Sequence, residues 1–151
     1  MPCDMWSMGC ILVELMTGTT LFHAHDNLEH LAAMQAVLGI VPKSMRQRVP
    51  ATLAAELFDV RLKLAWPERA ASAQAVHDVA ALPSLRILLR EQTDASMRPY
   101  LNDAIDLLHK LLEYDPAKRL SASEALQHAF FTGASRTASP SETTAWRGSK
   151  G

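Results

Sequence analysis

Neither sign of charge dominates this chain: 15 Lys and Arg stand against 16 Asp and Glu, a formal net charge of −1 over 151 residues. A generic binder of nucleic acid or of anionic membrane needs a basic excess, so no direct nucleic-acid partner is expected. Cysteine is scarce as well. Cys3 and Cys10 are seven positions apart; on one helix they share a face but lie about 10 Å apart along the axis, out of disulfide reach. Two buried thiols in a reducing compartment is the favoured reading. Long apolar runs are missing too. The stretch 8–16 is interrupted by Glu14 and is too short to span a bilayer. Met1-Pro2-Cys3-Asp4 places an acid where the basic region of a secretory signal would stand. The expectation is a soluble intracellular protein of nucleus or cytoplasm, with no membrane partner.

What is present is helical pattern. A first helix follows Asp4 to about Met16, with Thr17-Gly18 as its stop, and it is apolar almost all round (Trp6, Met8, Ile11, Leu12, Val13, Leu15, Met16). Such a helix belongs in the middle of a domain. A second begins after Asp26, with Glu29 in a capping-box-like position and Gly39 at its end. A third spans about 99–113, where Leu101, Ala104, Ile105, Leu108, Leu111 and Leu112 form the clearest amphipathic stripe. A fourth starts at Ser121, which forms an S-x-x-E capping box with Glu124, and closes near His128. Between 40 and 98 the prolines 42, 50, 67 and 83 break the pattern. Short helices over 51–58 and 70–80 and a short strand over 62–66 are expected there. After Phe131 bulky apolar residues almost vanish, so 132–151 reads as a disordered tail.

Three strings carry more than pattern. The first is Asp4-Met5-Trp6-Ser7-Met8-Gly9-Cys10-Ile11-Leu12-Val13-Glu14-Leu15. Taken on its residues alone, Asp4 caps a buried helix and Gly9 lets a neighbour pack closely. The second pairs Glu113-Tyr114-Asp115-Pro116-Ala117-Lys118-Arg119 with Ala125-Leu126-Gln127-His128-Ala129-Phe130-Phe131, a helix, a D-P turn and a capped helix ending in aromatics. The third is Glu29-His30-Leu31-Ala32-Ala33-Met34-Gln35-Ala36-Val37-Leu38-Gly39.

The first string resembles the central helix of the protein kinase C-terminal lobe, in which the Asp accepts hydrogen bonds from the catalytic loop. The second resembles the kinase pattern D-P-x-x-R…A-L-x-H-x-F-F. There the Arg, here Arg119, pairs with a Glu that ends the activation segment. The third is similar to E-H-L-A-M-M-E-R-x-L-G, the signature of the LAMMER (CDC-like dual-specificity) kinases. Thr20-Leu21-Phe22-His23-Ala24-His25-Asp26-Asn27 and Leu64-Ala65-Trp66-Pro67-Glu68 also look like that group. Ala33, Gln35 and Ala36 depart from the signature's Met, Glu and Arg, which marks a divergent member.

The resemblance implies a mainly α fold, the helical C-terminal half of a kinase C-lobe and so an incomplete kinase-like fold. It covers 1–131, with an insert at about 41–98. Signature positions are Asp4, Trp6, Gly9, Glu29, His30, Leu31, Met34, Asp115, Arg119 and His128. No catalytic, cofactor-binding or metal residue is assigned. Phosphoryl transfer needs a phosphate-cradling loop, a Lys on the phosphates, magnesium ligands and an Asp at the substrate hydroxyl. The six glycines form no such loop, and neither H-R-D nor D-F-G occurs. The chain alone is therefore expected to be inactive. An intact parent, with the N-lobe and catalytic loop as partners, would use ATP and magnesium on protein substrates, Ser/Arg-rich ones by resemblance. The alternative is a non-catalytic protein-interaction module derived from a kinase C-lobe.

Smaller features weigh less. His23, His25 and His30 could be imagined as metal ligands, but no Cys stands near to complete a site, and packing or surface histidines are favoured. Arg136-Thr137-Ala138-Ser139-Pro140 could be phosphorylated by another kinase, though a Ser/Thr-rich tail offers such matches by chance. If roughly 300–400 Å² of the first helix stays uncovered, about 8–10 kcal/mol of burial is forgone at ~25 cal/mol/Å². Arg119 without its Glu is expected to turn to water or Asp115. The isolated chain is thus expected to be loosely packed, self-associating or dependent on a partner.

Overall fold

The computed structural model describes residues 1–133, so the sequence pattern at 136–140 and all but the first two residues of the expected tail lie outside the described residues. The chain is a stack of helices. The first, α1 (Pro2–Thr17), starts three residues earlier than its sequence pattern suggests, because Pro2 suits the first helical turn. Asp4 therefore sits inside that turn rather than capping it, and its carboxylate takes the Met1 ammonium at 2.7 Å. Gly18 ends the helix at φ 74°, a left-handed conformation that glycine adopts without strain.

Next come α2 (Asn27–Leu38), α3 (Lys43–Arg46) and α4 (Ala51–Leu57). Asp26 caps α2, its carboxylate accepting from the Glu29 amide at 2.8 Å. Glu29 does not return the bond. Its buried carboxylate faces His25 instead, 3.4 Å from Nδ1. After the 58–66 turn follow α5 (Ala73–Ala81), α6 (Leu85–Gln92), a 3₁₀ helix (Ala95–Tyr100), α7 (Leu101–Leu111), α8 (Ala122–Leu126) and α9 (Ala129–Thr132). The strand expected over 62–66 is replaced by a single antiparallel bridge between Phe58 and Leu64. Two Asp59-anchored amides, those of Arg61 and Lys63, curl the chain there, and Leu62 takes φ 59°.

The main core lies where α1, α6 and α7 meet, with α2 at its side. Val13, Leu85, Leu89, Ile105 and Leu108 are essentially fully buried in it. Gly9 is the contact point of α1 with the end of α7: a Cβ at that position would stand 2.8 Å from Leu112 Cδ2 and 3.2 Å from Leu111 Cβ. The expected close packing at Gly9 is thus present.

Two features of α1 set it apart from a helix in the middle of a complete domain. The helix is apolar all round but is covered on one side only, since α6 and α7 pack on its Val13 face. Met8, Ile11 and Leu15 are 46%, 47% and 76% exposed. They fall at i, i+3 and i+7, one stripe of the helix, and no described element lies over it. The thiols also differ from expectation. Both are free, Cys3 exposed and Cys10 only half-buried, with burial holding the Cys10 thiol above its ordinary pKa. Cys3 lies on the first turn, where no neighbour closes over it.

Candidate functional site

The site is built around Arg119. The D-P turn that follows α7 is shaped by Asp115, whose carboxylate accepts from the Ala117 amide at 3.1 Å, while the Glu113 carboxylate accepts from the Asp115 amide at 3.0 Å. This turn aims the Arg119 side chain back toward the start of the chain. Its Nε donates to the Glu113 carbonyl at 2.9 Å, Nη2 to the Tyr114 carbonyl at 3.2 Å and Nη1 to the Pro2 carbonyl at 2.7 Å. The guanidinium carbon also stands 5.1 Å from the centroid of the Trp6 ring, within cation–π range.

Of the two expected partners, water and Asp115, the carboxylate of Asp115 is not the one that Arg119 takes. Three main-chain carbonyls and an aromatic face occupy the fork instead, because the planar guanidinium presents five donors and carbonyl oxygens suit them. Burial lowers its pKa from the ordinary value, while the field of Glu113 opposes that shift. The group stays charged.

Trp6 extends the site. It stacks on Phe22 at 6.3 Å and 17° and meets Tyr114 at 6.1 Å. Tyr114 in turn donates its hydroxyl to the Gly39 carbonyl at 3.0 Å, and burial pushes that phenol well above its ordinary pKa. The phenol remains a neutral donor at physiological pH. Trp6, Tyr114 and Arg119 form one wall of an apolar cleft of 340 Å³, with Phe22 stacked behind Trp6. Leu31 and Met34 of α2 form the second wall, and Val41, Leu57 and Phe58 close the third. The 41–58 segment, part of the proline-broken insert in which the sequence predicts a short helix over 51–58, supplies a whole face of the site, and α4 forms there.

The structure brings Trp6, Leu31, Met34 and Arg119 together at this cleft, and Asp115 shapes the turn beneath it. Gly9 lies below, in the α1–α7 contact. His30 stands beside Phe22, 5.8 Å between ring centroids, and Glu29 is turned toward His25. Asp4 is exposed at the head of α1. His128 is remote: its Nδ1 accepts from the Phe130 amide at 3.3 Å, so Nε2 carries the proton donated to Asp106 at 2.8 Å. Tyr114 and Phe22 belong to the site without being signature positions of the sequence. An aromatic directly before the D-P turn was the available signal for Tyr114.

His23, His25 and His30 do not converge on a metal site, and no group of three or more His, Cys, Asp or Glu among the described residues could hold one. The cleft is lined by apolar side chains and by Arg46 and Arg119 with no carboxylate, a lining that does not fit a magnesium–nucleotide pair.

A one-sided hub helix, a D-P-x-x-R turn tied back to it and short helices around both define the lower, helical part of a kinase-type catalytic lobe. The protein kinase domain profile matches residues 1–131. Serine/threonine-protein kinase AFC1 of Arabidopsis thaliana is 48% identical over 131 residues, covering 87% of this chain and 27% of that protein. Dual specificity protein kinase CLK2 of Mus musculus is 39% identical over 149 residues, 99% of this chain and 27% of the relative. Dual specificity protein kinase lkh1 of Schizosaccharomyces pombe is 39% identical over 131 residues and 18% of its length. A crystal structure of a kinase domain superposes with a TM-score of 0.75 at 34% identity, over 86% of this chain and 36% of that one. The chain belongs to the protein kinase family, in its LAMMER (CDC-like dual-specificity) branch. It spans about a quarter of the length of AFC1 and CLK2.

Proposed function

We propose that this chain serves as the helical base of a LAMMER-type serine/threonine and dual-specificity protein kinase catalytic domain. The parent transfers the γ-phosphate of ATP, with magnesium, to protein hydroxyls, and Ser/Arg-rich proteins are its substrate class. The work takes place in nucleus or cytoplasm. Residues 1–131 form the partial lobe. The base itself transfers nothing; it holds the parts that do.

One observation carries this reading. Arg119 joins the end of the lobe to the first turn of α1 through the Pro2 carbonyl, at the rim of a cleft whose other walls carry Leu31 and Met34. The kinase-wide motif and the branch-specific motif therefore converge on one surface. The exposed Met8–Ile11–Leu15 stripe supports it further, since an uncovered apolar face on a central helix calls for a covering element.

A chimaera tests it. Residues 1–131 replace the matching region of AFC1 behind that protein's own preceding sequence. Phosphate transfer from labelled ATP to a Ser/Arg-rich peptide is expected to survive. A folded chimaera that binds ATP yet phosphorylates no protein substrate overturns the proposal.

A further inference from the structure

The three departures from the LAMMER signature sit side by side on α2. Ala33 is 1% exposed and packs with Ala32 against Val79 of α5. Gln35 and Ala36 face a second cleft, of 680 Å³, which runs between α2, α5 and the 58–66 turn. Its trough is apolar, walled by Leu64, Trp66 and Val79. This volume falls within the roughly 300–1,000 Å³ typical of small-molecule sites, which are likewise mostly apolar with a few polar groups.

The charged groups at this cleft have one sign. Arg46 and Lys63 line it and no carboxylate does. Among the described residues neither cation is in an ion pair. Arg46 donates through Nη1 to the Leu62 carbonyl, but its Nε is buried with no hydrogen-bond partner. With Nη1 engaged and Nε shut off from water, the fork's Nη2 is the group left to offer an anion in the cleft, and a charge-assisted bond there would be strong. The signature's own residues would act against such a site: a Glu at position 35 brings an internal counter-ion, and an Arg at position 36 fills the trough.

We propose that the α2–α5 cleft binds a small amphipathic anion. A hydrocarbon or aromatic body occupies the trough beside Trp66, and a carboxylate or sulfonate head lies at Arg46 and Lys63. The site arises from Gln35 and Ala36 and does not depend on the kinase activity of any parent.

Decanoate, kept below its micelle concentration, is the probe, with decanol as its uncharged counterpart. The readout is the ¹H–¹⁵N spectrum of the full 151-residue chain. Saturable shifts confined to Gln35, Ala36, Lys63 and the Trp66 indole are expected, with decanol about tenfold weaker. Lys63→Ala, at an exposed residue, should weaken decanoate by about tenfold without disturbing the fold. Gln35→Glu with Ala36→Arg should abolish binding. Shifts centred on the α1 stripe, equal affinity for decanol, absence of saturation, or indifference to Lys63→Ala would each overturn the proposal, whatever the fate of the double variant.

Discussion

Arg119 and Trp6 are the closing pair of this lobe: the guanidinium lies 5.1 Å from the indole centroid while its Nη1 reaches past the ring to the Pro2 carbonyl at 2.7 Å. Residues 117 positions apart are thereby held together by one side chain. Truncation to alanine strands three carbonyls and uncovers the Trp6 face. Arg119→Ala should cost about 2–4 kcal/mol, since hydrogen bonds to charged groups contribute more than neutral ones and do not add simply. Arg119→Lys keeps the charge but has no planar fork, and should recover less than half. Urea unfolding of the three proteins under one set of conditions measures both. Equal stability of Lys and Arg would show that charge alone matters.

Gly9 makes a sharper test of packing. Alanine in mid-helix is ordinarily worth about 1 kcal/mol over glycine. Here the added methyl would press on Leu112 Cγ at 3.0 Å and Leu111 Cβ at 3.2 Å, atoms held by the core and not free ends. Overpacking of this kind costs about 1–3 kcal/mol. Gly9→Ala should therefore destabilise by about 1 kcal/mol net. Gly18→Ala should cost about 1–2 kcal/mol for a different reason, because nothing crowds Gly18 and the strain lies in its left-handed backbone. Only Gly9→Ala should perturb the Leu111 and Leu112 methyl resonances.

The Asp106 carboxylate sets a pH dependence. Lys110 Nζ at 2.7 Å, and then His128 Nε2 at 2.8 Å, hold its folded pKa below the ordinary carboxylate value. A depressed carboxylate pKa contributes stability that is present above the unfolded value and is lost as pH falls through the folded one. The loss thus falls below about pH 4. Asp106→Asn should flatten the stability curve in that acid window. At neutral pH it should cost only about 0–1 kcal/mol, since the carboxylate is largely exposed. Guanidinium melts from acid to neutral pH show whether the difference between the two proteins shrinks on acidification, as required.

Much of this architecture was readable from residues alone, and the exceptions have physical causes. The stripe of α7 and the Ser121–Glu124 box are local signals, and both helices form where the pattern puts them. The sequence pattern does not mark the α6 helix, although Leu85 and Leu89 are fully buried. It is only eight residues long and follows Pro83, so its Leu85, Leu88, Leu89 triplet was lost among breakers. The 62–66 alternation predicted a strand, yet no neighbour offers an edge beyond one bridge. For Arg119 the motif marks the right side chain but not its carbonyl partners. Carbonyls from residues 2, 113 and 114 reach it only once the chain has folded.

The exposed stripe of α1 bears on how the chain behaves alone. Its inner face is secured, because Val13 is 0% exposed and Gly9 is locked against Leu112; the helix therefore stays in place whether or not its outer face is covered. Met8, Ile11 and Leu15 remain as a contiguous apolar strip in water, and a net charge of −1 supplies little repulsion to keep copies apart. Association is then the cheaper outcome than unfolding. Sedimentation velocity of the isolated chain should show concentration-dependent species above the monomer. Ile11→Gln with Leu15→Lys should raise the dissociation constant at least about tenfold. Folding stability should barely change, because those side chains make few contacts to lose. The same pair placed in the AFC1 chimaera should instead lower kinase activity, since there the stripe has a partner to cover it. A wild-type chain that melts cooperatively as a monodisperse monomer would show that the stripe is tolerated bare.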